Sequence, residues 1–542
     1  MLNFYALERW LAEQMEAGHV PGLALAVVRD LEVVYCHGWG VTSVDDGRRP
    51  ITPQTLFRLG SITKSMTTTA IMRLVEEGKL DLDRPANDYV PWLAFSQAGV
   101  AGEITLRRLL SHSAGLPTDH VPFGRRGPEG LEAYVRHEVA AYPFLASPGR
   151  LYAYSNPGIR VAGYVAEVVS GRPYTELMED LVFDPLQMER TTFDPAVAMT
   201  YPLAQSHDLA ADGTLSVQHR YADDSGGYPS GGIISTALDL THFAIMQMDG
   251  GRFRGRRILA AESVAEMQRP QVDRYALGDG AYGLGLSLDT YQGLKRVSHN
   301  GSISTFGSRL VMLPSAGAAV VLLVNRAPGF WAKIEAIVDR VVDQLLDLPG
   351  EQARPPAAGE ASSPGEAARA LWPDYEGAYL GDWRGLAVVR TLDDQLVLDW
   401  NGERLVLHPR RDDLYWGRKP GSDGVVSIGF VTPAGGPVEY VQINSSPCRR
   451  FDPDTSWLPD PGGWAAYEGR YAGVENLTVR FEGGQLLVYS EDEGREMPAV
   501  PLSDTRFACD VGLLEFQVAA DGAVPSLRFG NVYTLDHLPG DD

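Results

Sequence analysis

Lysine is nearly absent from this chain: there are five in 542 residues, against more than forty arginines. Where one does stand, chemistry that an always-protonated guanidinium cannot perform becomes worth testing. Cysteine is scarcer still. Cys36, Cys448 and Cys509 are an odd number set far apart, which excludes a disulfide framework and leaves buried free thiols as the expectation. Long apolar runs are missing too, since the longest, Ala318 to Val324, falls far short of the ~20 residues that span a bilayer. Positive charge is in deficit: a formal net charge of −23 repels phosphate backbones and anionic lipid heads, so neither nucleic acid nor a membrane is expected as a partner. The N-terminal stretch reads as an amphipathic helix with Phe4, Leu7, Leu11 and Met15 on one face and Gly18 as its stop. That pattern lacks the basic and apolar regions of a signal peptide, and a cytoplasmic protein is expected.

What is present is an ordinary globular composition, 44% hydrophobic and 22% charged. The length exceeds the roughly 250–300 residues that one core supports, so several domains are expected. "GLALAVVRD" and "LEVVYC" read as two strands meeting in a hairpin near Arg29 and Asp30. Much later, "LKRVSHNG", "TFGSRLVMLP" and "AAVVLLVN" read as three more strands, followed by a helical "FWAKIEAIVDRVVDQLLDL". An α/β domain over 1–348 follows, with one antiparallel five-stranded sheet flanked by helices and closed by the two ends of the domain. A mostly helical insertion runs from Leu56 to about Pro270. Residues 349–370, rich in Pro, Gly, Ala and Ser without apolar periodicity, read as a linker. Beyond it the texture is short alternating strands, and "YEGAYLG" at Tyr375 recurs as "YEGRYAG" at Tyr467. Two small all-β domains of barrel type are expected, 371–455 and 456–542.

One of the five lysines, Lys64, sits three residues behind Ser61 in "FRLGSITKSMTTTA". Ile62, Met66, Ala70 and Leu74 recur every four positions, so Ser61 to Glu77 is expected to form one buried helix ended by Gly78. Ser61 then stands among the orphan N–H groups of a helix start, and Lys64 lies one turn on, on the same face. A buried ammonium loses solvation, its pKa falls, and the lysine becomes a proton acceptor. An N-cap serine beside a surface lysine would leave the same short pattern. Two further motifs follow in order: Tyr154 and Asn156 in "LYAYSNPG", then His299 and Gly301 in "VSHNGSIS". Ser-x-x-Lys, Tyr-x-Asn and His-x-Gly in this order resemble the serine β-lactamase and penicillin-recognising hydrolase superfamily, near its class C branch. "LLSHSAGLP", "GGIISTALDLTHF" and "YGLGLS" read like the same family's wording, and the resemblance covers about residues 5–345. With two β domains appended, the layout is similar to that of D-stereospecific aminopeptidases.

The resemblance implies a nucleophile at Ser61, general-base duty shared by Lys64 and Tyr154, and an amide-holding role for Asn156 that also orients Lys64. It further implies substrate contacts at His299 and Gly301, and an oxyanion hole from the backbone N–H groups of Ser61 and Ser302. His112, in "SHSAGLP", reads as a structural turn beside the site and not as a base. Where many relatives carry Lys-Thr-Gly, this chain has His299, Asn300 and Gly301, so a cation and a hydroxyl that grip a carboxylate are missing. D-stereospecific peptidase or aminopeptidase activity on a small molecule or short peptide is therefore the first expectation. A carboxylesterase, a weak β-lactamase or penicillin-binding protein, and a non-catalytic binding protein are the alternatives. No cofactor or metal is implied, and the sequence leaves the oligomeric state open. A loop from one β domain is expected to roof the pocket.

Overall fold

The computed structural model describes residues 4–45, 48–119, 124–210, 212–276, 280–349, 366–382, 384–411, 413–420, 424–432, 437–452, 459–473, 475–491, 495–530 and 532–538. The expected hairpin is formed by Gly22–Arg29 and Glu32–Gly40. Asp30 and Leu31 turn the chain with φ of 52° and 63°, the handedness that suits a two-residue hairpin loop. Ala318–Val324 lies antiparallel beside the first of these strands, then Phe306–Leu313, then Leu294–Ile303. These are the five strands expected. Ser287–Tyr291, Gly280–Tyr282 and Val272–Ala276 extend the sheet to eight.

Alternation along the first strand explains why the sheet is covered twice. Leu23, Leu25 and Val27 face one layer with Leu7, Leu11, Ile334 and Val338 from the terminal helices Phe4–Ala17 and Trp331–Leu346. Ala24, Ala26 and Val28 face the other layer, with Ile62, Met66 and Phe243 from the insertion. Fully burying each such valine or leucine contributes about 1.5–3 kcal/mol, which fixes the strand's register on both faces. The expected helix from Ser61 is a 3-10 turn, Gly60–Ile62, running into the α-helix Thr63–Glu76, with Gly78 at φ 69° closing it.

Most of the expected linker lies outside the described residues; its end forms the short helix Glu366–Ala370. Gly377–Gly381 to Ser446–Phe451 then make a nine-stranded sheet, and Gly469–Ala472 to Tyr533–Leu538 a closed eight-stranded barrel. The recurring tyrosines do the same work in both. Tyr375 stacks on Phe430 at 3.9 Å and Tyr467 on Phe516 at 4.2 Å, while Tyr379 and Tyr471 donate their hydroxyls to the carbonyls of Tyr375 and Tyr467. Cys36, Cys448 and Cys509 are free thiols, the last two buried. No helix among the described residues is long and apolar enough to cross a membrane.

The first β domain docks on the segment leading to Tyr154. Ala146, Leu151 and Ala153 share an apolar cluster with Val431 and Tyr440, and buried Gln442 donates its amide N–H to the Tyr152 carbonyl at 2.9 Å. The second β domain packs Val532 against the core of the sheet domain and bonds the first through Leu513 N–H to the Asp382 carbonyl at 3.1 Å.

Candidate active site

The short strand Phe57–Arg58 pairs with Ile234–Ser235, and Leu59 N–H bonds the Ile233 carbonyl. Gly60 then takes φ 53°, a left-handed turn that only glycine enters freely, and delivers Ser61 to the start of the buried helix. A Cβ on Gly60 would lie 2.7 Å from Ser302 N, and one on Gly301 would lie 1.9 Å from the Leu59 carbonyl oxygen and 2.9 Å from Ser61 N. The two glycines thus let the strand Leu294–Ile303 pass directly over the turn that carries Ser61. Ser61 and Ser302 come to line one cavity of ≈ 680 Å³, with Asn156, Arg160 and Ser230 also in its wall. The expected pair of backbone donors is therefore brought to one place.

Lys64 is wholly buried. Its Nζ lies 2.8 Å from Ser61 Oγ and 2.6 Å from the Ser230 carbonyl oxygen, and 4.9 Å over the ring of Tyr154. Burial, then the nearby Arg160 charge, hold its pKa well below the usual lysine value, with Asp119 opposing. A neutral amine bonded this way can donate to Ser230 and keep its lone pair for the Ser61 proton. Tyr154 lies close by, its ring 4.9 Å from the Lys64 amine, and burial keeps its phenol pKa raised, so it is a protonated hydroxyl, able to pass a proton on.

Asn156 lines the cavity, but its amide donates to the Asp119 carbonyl at 2.6 Å. The bonds described for Lys64 go elsewhere, so its orientation comes from Ser230. His299 is not in the cavity wall. Its ring is buried behind the site, with Nε2 2.8 Å from the Tyr282 hydroxyl and Nδ1 2.6 Å from the Asn300 carbonyl oxygen. Nδ1 therefore carries the hydrogen, Nε2 accepts from Tyr282, and burial pushes the pKa down to about 3. The group standing where relatives have a cation is neutral.

His112 stands as expected in a turn beside the site, and other contributors escaped sequence reading. His112, at φ 58°, brackets Tyr154: Ala153 N–H bonds its carbonyl oxygen at 2.8 Å and Ser155 N–H bonds its Nδ1 at 3.1 Å. Its ring lies 4.4 Å from that of Tyr154. Behind the site, Asp119 pairs with Arg160 at 3.1 Å and accepts hydroxyls from Tyr134 and Tyr142. Only His112 had a signal, in "SHSAGLP". Among the described residues no residue of either β domain lines the cavity, and no three His, Cys, Asp or Glu side chains converge to hold a metal.

A family profile described as Beta-lactamase matches residues 7–343. The chain is 31% identical over 320 residues to "Penicillin-binding protein 4" of Amycolatopsis lactamdurans, covering 57% of this chain and 81% of that protein. Among solved structures, SurE superposes with a TM-score of 0.64 at 26% identity, over 82% of this chain and 98% of SurE. The D-amino acid amidase of Ochrobactrum anthropi SV3 does so with a TM-score of 0.53 at 25% identity, over 63% of this chain and 98% of the amidase.

Proposed function

The chain belongs to the Beta-lactamase family, and from that membership we propose that it is a serine hydrolase acting through an acyl-Ser61 ester on small D-amino-acid peptides or amides. The observation that carries the reading is the fully buried Lys64 amine at 2.8 Å from Ser61 Oγ. Neutral Lys64 takes the Ser61 proton as Oγ attacks the substrate carbonyl, and the resulting oxyanion is received by the N–H groups of Ser61 and Ser302. Tyr154 relays the proton from Lys64 to the departing amine, the C–N bond breaks, and the acyl ester remains. A water then attacks the ester while its proton goes to Lys64, and Ser61 recovers a proton as the acid leaves.

The D preference rests on the likeness to the D-amino acid amidase and on the layout with two β domains. A neutral His299 stands where a carboxylate-gripping cation would otherwise be, so His299 itself gives no preference for acidic over neutral amide substrates. The test is turnover of D- and L-alanyl p-nitroanilide by wild type and Ser61→Ala. Turnover of the D-anilide alone, reduced by at least ~10³-fold in the variant, is expected. Turnover of short acyl esters but of neither anilide would move the assignment to a carboxylesterase. A folded protein that turns over none of these and forms no adduct with a fluorophosphonate would fit a binding protein instead.

A further inference from the structure

Arg58 stands two residues before Gly60, in the wall of the same cavity as Ser61. It is only 6% exposed, yet among the described residues its guanidinium forms neither a hydrogen bond nor an ion pair, and its Nε is buried without a partner. Asp208, Asp223 and Asp224 share the cavity wall, and none of them bonds Arg58. Arg160 is held by Asp119 at 3.1 Å and by the Ser230 hydroxyl at 3.0 Å, and Asp223 faces Arg126 at 3.6 Å and the Tyr228 hydroxyl at 3.2 Å. Arg58 instead lies 4.5 Å over the ring of Tyr221.

Burying a guanidinium is costly when no hydrogen-bonded anion replaces its water, and the Asp223 carboxylate, whose charge reaches Arg58, forms neither a hydrogen bond nor a salt bridge with it. It cannot escape by losing its proton. An aromatic ring covers one face and leaves the in-plane N–H donors free, and those donors form the fork that takes a carboxylate in two parallel bonds. We infer that Arg58 is a carboxylate-binding residue of the Ser61 cavity, so that the substrates of this hydrolase are peptides with a free carboxylate and not only neutral amides. The inference rests on the hydrolase reading of Ser61, and it restores by a different residue the carboxylate grip that His299 cannot supply.

The test reads binding separately from turnover. The rate at which a neutral fluorophosphonate acylates Ser61 is followed by intact mass in the full chain. Alanyl-alanine or its C-terminal amide is added as protectant, each in D,D and L,L form. In wild type the better enantiomer of the free acid should protect at a concentration at least tenfold lower than its amide. In Arg58→Met that gap should close, and in Arg58→Lys it should be retained in part, with unfolding temperatures showing that the variants are folded. Equal protection by acid and amide in wild type, protection by neither, or a gap that survives in Arg58→Met would overturn the inference. D-anilide turnover in the same samples keeps the two ideas apart. Acid-selective protection without turnover would remove the D-peptidase reading and leave the carboxylate site, while turnover without selectivity would do the reverse.

Discussion

At the scale of single residues, the site is a group of titratable side chains whose charged forms are disfavoured by burial. Lys64, His112 and His299 are all buried, and burial is the largest cause lowering the pKa of each. This arrangement has a measurable cost in acid. His299 titrates at about 3 in the fold against an ordinary value of 6.5, so the unfolded chain binds the proton first. Its contribution is complete above about pH 6.5 and is lost as pH falls toward 3, with a slope of about 1.4 kcal/mol per pH unit for each such histidine. Urea unfolding between pH 7 and 4 should show stability falling with pH, and His299→Gln should flatten that slope; parallel curves for the two proteins would contradict it. At this scale Ser61 and Lys64 were legible because their relation is local, one helical turn. Tyr154 and Asn156 came into view only through the family resemblance, since nothing in their own neighbourhoods ties them to Ser61, and His299, named the same way, lies behind the cavity and not in its wall. The acceptor from Ser230 was not legible at all, because a backbone carbonyl is present whatever the side chain.

At the scale of elements, the site is where a strand crosses a helix start. The five long strands announced themselves by apolar runs, whereas the three added ones have only three to five residues each and bury too little to leave a pattern. What makes the crossing work is two absent Cβ atoms. Gly301→Ala would place a methyl 1.9 Å from the Leu59 carbonyl oxygen and 2.9 Å from Ser61 N, prying the strand off the nucleophile turn. We expect kcat to fall by ~10²-fold or more as the paired donors separate, in a protein that still unfolds cooperatively. A variant within threefold of wild type in kcat would show that this close approach is not what sets the donors.

At the scale of the whole molecule, no described residue of either β domain lines the cavity, where the sequence led us to expect a roof; the first of them braces the site from behind. Gln442 reaches across to the Tyr152 carbonyl, two residues before Tyr154, inside an apolar seat made by both domains. This could not be read from sequence, because 290 positions separate the partners and only docking brings them together. Gln442→Leu should lower kcat by about 5- to 30-fold while KM changes little, since it loosens the segment bearing Tyr154 without touching the cavity wall. An unchanged kcat would mean that the brace serves stability alone.

The central claim is that a lysine without its proton activates Ser61. The measurement that tests it most directly is the pH dependence of Ser61 acylation by a neutral fluorophosphonate, followed by intact mass in wild type and Lys64→Arg. The account predicts a rate that has already levelled off by neutral pH, an adduct on Ser61 alone, and a loss of ~10³-fold in Lys64→Arg, whose guanidinium cannot accept the proton. A rate still climbing through pH 10, as an ordinary lysine would give, or a Lys64→Arg variant that is acylated as fast as wild type, would contradict it.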